Sequence, residues 1–165
     1  MKRHRYATPL AAWLMCVCAV PLLAPSSHAA AVGKAGSPTV VTLTQVPCQF
    51  IESEDGTDRG FKSRSKQDCE RINEKSGTAR VAGAKPLELK PGRYVFRVAN
   101  RSVPYELGFW LRGAGLIGRA SLPSVSGGGL ARGTTKDYEI ELKPGEYVYS
   151  CPLNTTPDYR LIVRN

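Results

Sequence analysis

Three cysteines, Cys48, Cys69 and Cys151, are the side chains of this 165-residue chain whose chemistry most needs an explanation. A thiolate can attack an electrophile, hold a soft metal ion or close a disulfide, and each role needs a companion. The usual companion is absent where it is wanted. The chain has two histidines, His4 and His28, and two methionines, Met1 and Met15, all close to its start. That start reads as a secretory signal peptide over residues 1–31: Lys2, Arg3 and Arg5 form a basic head, Leu10 to Ala24 an apolar run, and Ser27-His28-Ala29 or Ala29-Ala30-Ala31 a small-residue cleavage site. The apolar run is short for a membrane span and no second one follows, so the expected mature chain is periplasmic or secreted, with no transmembrane segment.

Cleavage would remove every imidazole and thioether. Ser-His-Asp and Cys-His nucleophile systems, histidine-ligated zinc and a histidine general base go with them, and no enzyme activity is expected. Cleavage also removes Cys16 and Cys18, and in an oxidising compartment the three cysteines that remain predict one bridge and one thiol left over. The spacing of Cys48 and Cys69 makes them the natural pair, and closing a loop of about 20 residues is worth roughly 3 kcal/mol. Cys151 is left with three readings. It is a buried thiol packing as a small hydrophobe, a partner for Cys48 or Cys69, or a soft-metal ligand.

Other patterns that suggest ligands fail on context. Gly113-Ala114-Gly115-Leu116-Ile117-Gly118 has the spacing of a dinucleotide fingerprint, but Pro123 and Gly127-Gly128-Gly129 follow too soon for a long helix, and a flexible loop is expected. Glu52 to Asp58 is acidic without the spacing of a calcium loop. Losing Lys2, Arg3 and Arg5 lowers the 23 basic residues to 20 against 14 acidic ones, and the net charge from +9 to +6. With no basic block, that charge implies mild affinity for acidic surfaces and no nucleic-acid partner.

The elements that must position Cys151 are strands. Thr39 to Val46 is rich in β-branched residues, and Leu87 to Leu89, Tyr94 to Ala99, Val103 to Leu111, Tyr138 to Leu142, Tyr147 to Leu153 and Tyr159 to Val163 alternate between Gly and Pro turns. Leu87-Glu88-Leu89-Lys90-Pro91-Gly92-Arg93-Tyr94 is echoed by Ile140-Glu141-Leu142-Lys143-Pro144-Gly145-Glu146-Tyr147, two strand pairs each turned by Lys-Pro-Gly. The fold class is all-β, a sandwich over residues 39–165 after a flexible lead-in at 32–38. A charged insertion at 47–86 holds one short helix at Ser65 to Lys75 and is read as an excursion from the core. Phe109 and Trp110, being adjacent in a strand, must face opposite sides.

Val98-Ala99-Asn100 and Val103 to Phe109, followed by Pro144-Gly145-Glu146-Tyr147-Val148-Tyr149-Ser150-Cys151-Pro152-Leu153 and a closing strand, resemble the cupredoxin family of small blue-copper proteins. The resemblance implies an antiparallel Greek-key sandwich and a copper site of two histidines, one cysteine and a methionine. Carried onto this chain, it keeps Cys151 as the thiolate, puts Tyr105 and Asn154 where the histidines belong, and leaves Pro157 or Asp158 near the methionine position. An ordinary type 1 copper electron carrier is therefore excluded on ligand chemistry. The resemblance leaves copper as the candidate cofactor, held by Cys151 with oxygen donors from Tyr105, Glu106, Asn154 or Asp158. The expected function is an exported binding or accessory protein that meets a protein partner at this end of the sandwich. The alternative is a structural or assembly subunit of an exported complex with no metal.

Overall fold

Alternation of apolar side chains sets the two layers. The computed structural model describes residues 36–165, so the signal-peptide reading and the lead-in before position 36 lie outside the described residues. In chain order the elements are β1 (Thr39–Val46), β2 (Gln49–Phe50), a 3-10 turn (Glu52–Glu54), α1 (Lys66–Gly83), β3 (Leu87–Leu89), β4 (Gly92–Asn100) and β5 (Leu107–Gly113). They continue with α2 (Gly115–Ser121), β6 (Val125–Leu130), β7 (Thr135–Leu142), β8 (Gly145–Ser150) and β9 (Tyr159–Val163). One sheet has the order β2-β1-β4-β7 and the other β3-β9-β8-β5-β6. The two make the expected sandwich.

Its core lies between the sheets. Phe96 from one and Phe109 from the other stack with ring centroids 5.6 Å apart, and Tyr149 and Tyr159 flank Phe50. Phe109 is buried and Trp110 half-buried, as their adjacency required. Two pairings run parallel: β1 with β4, Thr39 opposite Tyr94, and β3 with β9, Leu87 opposite Leu161. Parallel neighbours need a long crossover, and between β1 and β4 the insertion supplies it. Both Lys-Pro-Gly turns sit where expected, but each crosses from one sheet to the other, β3 to β4 and β7 to β8, so neither joins two paired strands.

Four local expectations are corrected. The helix in the insertion runs to Gly83 rather than ending near Lys75. It opens where the Asp68 carboxylate accepts the backbone N–H groups of Arg64 and Ser65, at 2.8 and 3.1 Å. Within it Gly77 faces Pro157, where a Cβ would stand 3.5 Å from the proline ring, an ordinary van der Waals contact. The insertion is also no excursion, since Cys69 and Arg80 of α1 are buried against the sandwich. Lastly, the glycine-rich stretch expected as a flexible loop forms α2 and β6. In addition, Val103 precedes its strand, which begins at Leu107.

Candidate functional site

Cys151 follows directly on β8, and Asn154 three residues later lies in the turn that leads to β9. The Cys151 thiol is fully buried; its sulfur accepts N–H bonds from Gly108 of β5 at 3.4 Å and from Asn154 at 3.2 Å. Its own N–H donates to Thr156 Oγ1 at 2.8 Å. Burial pushes the thiol above its ordinary pKa, and the N–H bonds from Gly108, Asn154 and Leu153 hold it back only in part. A thiol kept protonated in this way is a poor nucleophile.

The Asn154 side chain points elsewhere. Its Oδ1 accepts the Cys48 N–H at 2.9 Å, and its Nδ2 donates to the Val46 carbonyl at 2.9 Å and to Gln45 Oε1 at 3.4 Å. Gln45 in turn donates from Nε2 to the Gly108 carbonyl at 2.8 Å, closing a buried ring of polar groups around the thiol. Asn100 is also buried and holds the loop before β5, accepting the Val103 N–H at 2.9 Å and donating to the Val103, Tyr105 and Leu130 carbonyls.

Tyr105 is half-buried, and its hydroxyl lies 3.1 Å from Ser63 Oγ and donates to the Ser65 carbonyl at 3.2 Å. Burial raises its pKa, so the phenol keeps its proton at neutral pH. The same hydroxyl is 3.6 Å from Cys69 Sγ, part of the Cys48–Cys69 disulfide, which is formed as the spacing suggested. Glu106 is exposed and accepts the Gly129 N–H at 2.9 Å. Asp158 is held by Arg112 through two bonds of 2.7 Å.

The structure thus brings Cys151 and Asn154 together through a backbone N–H, and commits Tyr105, Glu106, Asp158 and the Asn154 amide to other partners. Among the described residues, no three His, Cys, Asp or Glu side chains gather as metal ligands would. Type 1 copper needs two imidazoles and a thiolate in one trigonal plane, and residues 36–165 contain neither histidine nor methionine. The donors among the described residues do not fit a type 1 copper site.

Outside the ring, the surface is apolar. A groove of about 390 Å³ is lined by Gly108, Trp110, Gly127, Gly128, Pro152 and Leu153. Leu153 is exposed, and the Arg112 guanidinium lies 3.9 Å from the Trp110 ring centroid. Arg112 is buried, and its bonds to Asp158 and to Ser150 Oγ at 3.0 Å fix the indole from behind.

Two groups of residues escaped the sequence reading. Gln45 carried a visible signal, because it shares the inward parity of Leu43 in β1 and so had to be a buried amide. The second group is a charged cluster that no local pattern marks. Arg80 of α1 donates to Glu54 Oε1 from Nε at 2.9 Å and Nη2 at 2.5 Å, and to the Cys48 carbonyl at 3.0 Å; the Tyr159 hydroxyl donates to the same Glu54 oxygen at 2.5 Å. Arg59 pairs with the other Glu54 oxygen. Burial pushes the Glu54 pKa up, but the bonds from Arg80, Arg59 and Tyr159 outweigh it and hold the carboxyl below its ordinary range.

No protein-family model and no curated protein matches the chain. Among solved structures, the chain is similar to auracyanin B, a cupredoxin, with 12% identity and a TM-score of 0.49 over 78% of this chain and 91% of that one. It is also similar to a multi-copper oxidase from Pediococcus acidilactici, with 8% identity and a TM-score of 0.37 over 81% of this chain and 27% of that one.

Proposed function

We propose that this chain is an exported, non-catalytic binding or accessory protein on a cupredoxin-like sandwich, and that it receives a protein partner at the Cys151 end without a copper ion. The observation that carries this reading is the closed ring of Cys151, Asn154, Gln45 and Gly108 lying directly under the apolar groove. Within the ring the Cys151 sulfur is enclosed by N–H donors rather than by metal ligands, and what the same end offers to solvent is a preset apolar recess with an indole held in place by Arg112. Such a recess, with an aromatic anchor and a polar rim, suits an apolar side chain or loop of another exported protein. Export is supported by the leader-like composition of residues 1–31 and by the disulfide. No helix among the described residues is long and apolar enough to cross a membrane.

Site-specific photo-crosslinking in the producing cells tests the reading. A photoreactive residue at Leu153 should give one discrete crosslinked species, and the same residue at Glu139, exposed on β7, should not. The absence of a species specific to Leu153 would overturn the partner groove. Stoichiometric Cu(I) binding that Cys151→Ala abolishes would overturn the metal-free part.

A further inference from the structure

The glycine run that imitates a dinucleotide fingerprint builds an apolar knob. Gly113 ends β5 so close to Gly118 that a Cβ on it would stand 2.1 Å from the Gly118 carbonyl oxygen. Gly115 opens α2 at a φ of 63°, a conformation that favours glycine. At the other end, Leu122 packs on Gly145, where a Cβ would meet Leu122 Cδ1 at 2.7 Å. Ala114 donates its N–H to the Glu146 carbonyl at 2.8 Å, and Leu122 to that of Gly118 at 2.9 Å. The knob is thus fixed at both ends, and it presents Leu116 and Ile117, 86% and 85% exposed. Single exposed aliphatic residues are ordinary, but two adjacent ones on a preordered support lose little conformational freedom when something covers them.

Strand register shows what surrounds the knob. Gly113 is opposite Tyr147, Gly145 opposite Val163, Gly92 opposite Leu142 and Thr39 opposite Tyr94. Both Lys-Pro-Gly turns, the end of β9 and the start of β1 therefore share the knob's end of the sandwich, opposite Cys151. Its acids are matched: Glu88 lies 3.8 Å from Arg164, Glu146 lies 4.0 Å from Arg160, and Glu141 is opposite Arg93 across β4 and β7. Lys90, Arg119 and Lys143 are exposed and form no ion pair among the described residues, which leaves a surplus of positive charge around the two aliphatic side chains.

We propose that this end of the sandwich docks on an anionic bilayer surface, with Leu116 and Ile117 entering the boundary between headgroups and acyl chains and Lys90, Arg119 and Lys143 facing lipid phosphates. Apolar insertion and cation attraction reinforce one another in such binding. The proposal is independent of the groove at the Cys151 end.

The test uses the mature chain expected after cleavage, residues 32–165, with Ile117→Trp as a local reporter and vesicles of phosphatidylcholine, alone or with about one-third phosphatidylglycerol. The added emission, taken against the unsubstituted chain, should shift to the blue only on anionic vesicles, and about 0.5 M salt should weaken the shift. In co-sedimentation, Leu116→Ser with Ile117→Ser should weaken binding at least about tenfold, and Lys143→Ala about fivefold. These positions are exposed, so unchanged melting accompanies the expected result. No blue shift on anionic vesicles, an equal shift on neutral ones, or full binding by the double variant would each overturn the proposal. So would a shift without lipid that grows with protein concentration, which would identify a second copy as the occupant.

Discussion

Asn154 donates its backbone N–H to the Cys151 sulfur at 3.2 Å while its side chain turns away to bridge the Cys48 N–H and the Val46 carbonyl. One residue thereby fastens the thiol, the first strand and the disulfide. Replacing it with alanine removes the partner that Asn154 supplies to the buried Cys48 N–H and to the buried Gln45 Oε1, each costing about 1–3 kcal/mol. Asn154→Ala should therefore lower stability by about 3 kcal/mol in chemical denaturation. A loss below about 1 kcal/mol would show that the amide is not the fastener.

The Cys151 thiol is buried and its pKa is raised, so it should not react as a surface thiol does. In the folded chain at about pH 8, iodoacetamide should leave the peptide containing Cys151 unmodified, and the same reagent should modify it in guanidinium. Fast labelling without denaturant would show that this end opens. Cys151→Ser keeps an acceptor for the Gly108 and Asn154 N–H groups and should cost less stability than Cys151→Ala.

Glu54 and Arg80 form the buried ion pair that ties α1 to the segment after β2 and, through Tyr159, to β9. Because the folded pKa of Glu54 is lowered, its contribution is fully present above the unfolded carboxyl value of about 4.3 and is lost as pH falls through the lower folded value. Unfolding free energy measured against pH should fall on that acid side. Glu54→Gln should flatten the limb and cost about 3–5 kcal/mol at neutral pH, since it leaves the Arg80 charge buried without its partner. An unchanged acid limb in Glu54→Gln would place the acid sensitivity elsewhere.

The Cys48–Cys69 bridge fixes α1 against β1 and β2. Cys48→Ala together with Cys69→Ala should lower stability by about 3 kcal/mol and speed amide exchange in α1 before it does so in β4 or β7. Exchange that rises uniformly would mean that the helix and the sandwich unfold as one unit.

Much of the sandwich was legible because strand alternation and Pro-Gly turn chemistry are local. Phe109 and Trp110 divide as period two demands, and Lys90-Pro91-Gly92 and Lys143-Pro144-Gly145 turn where their residues say they must. The glycine-rich stretch was not legible, because α2 depends on Gly113 and Gly118 touching, and that is a packing fact. The far half of α1 was hidden for the same reason: what anchors it is Arg80, whose partners Glu54 and Tyr159 lie far away in sequence.

For the candidate site, the sequence by itself determined the inventory. Beyond position 31 one thiol is left after the Cys48–Cys69 bridge, with no imidazole or thioether, so residues 32–165 cannot supply ordinary blue-copper ligands. Only the tertiary structure decided where the remaining polar atoms are spent. Hydrogen bonding is directional and saturable, so once Asn154 serves Cys48, Val46 and Gln45, and Tyr105 serves Ser63 and Ser65, they have no lone pairs aimed at Cys151. Those choices link residues as many as 109 positions apart, and only the packed chain, where leaving a buried polar atom unpaired is costly, makes them.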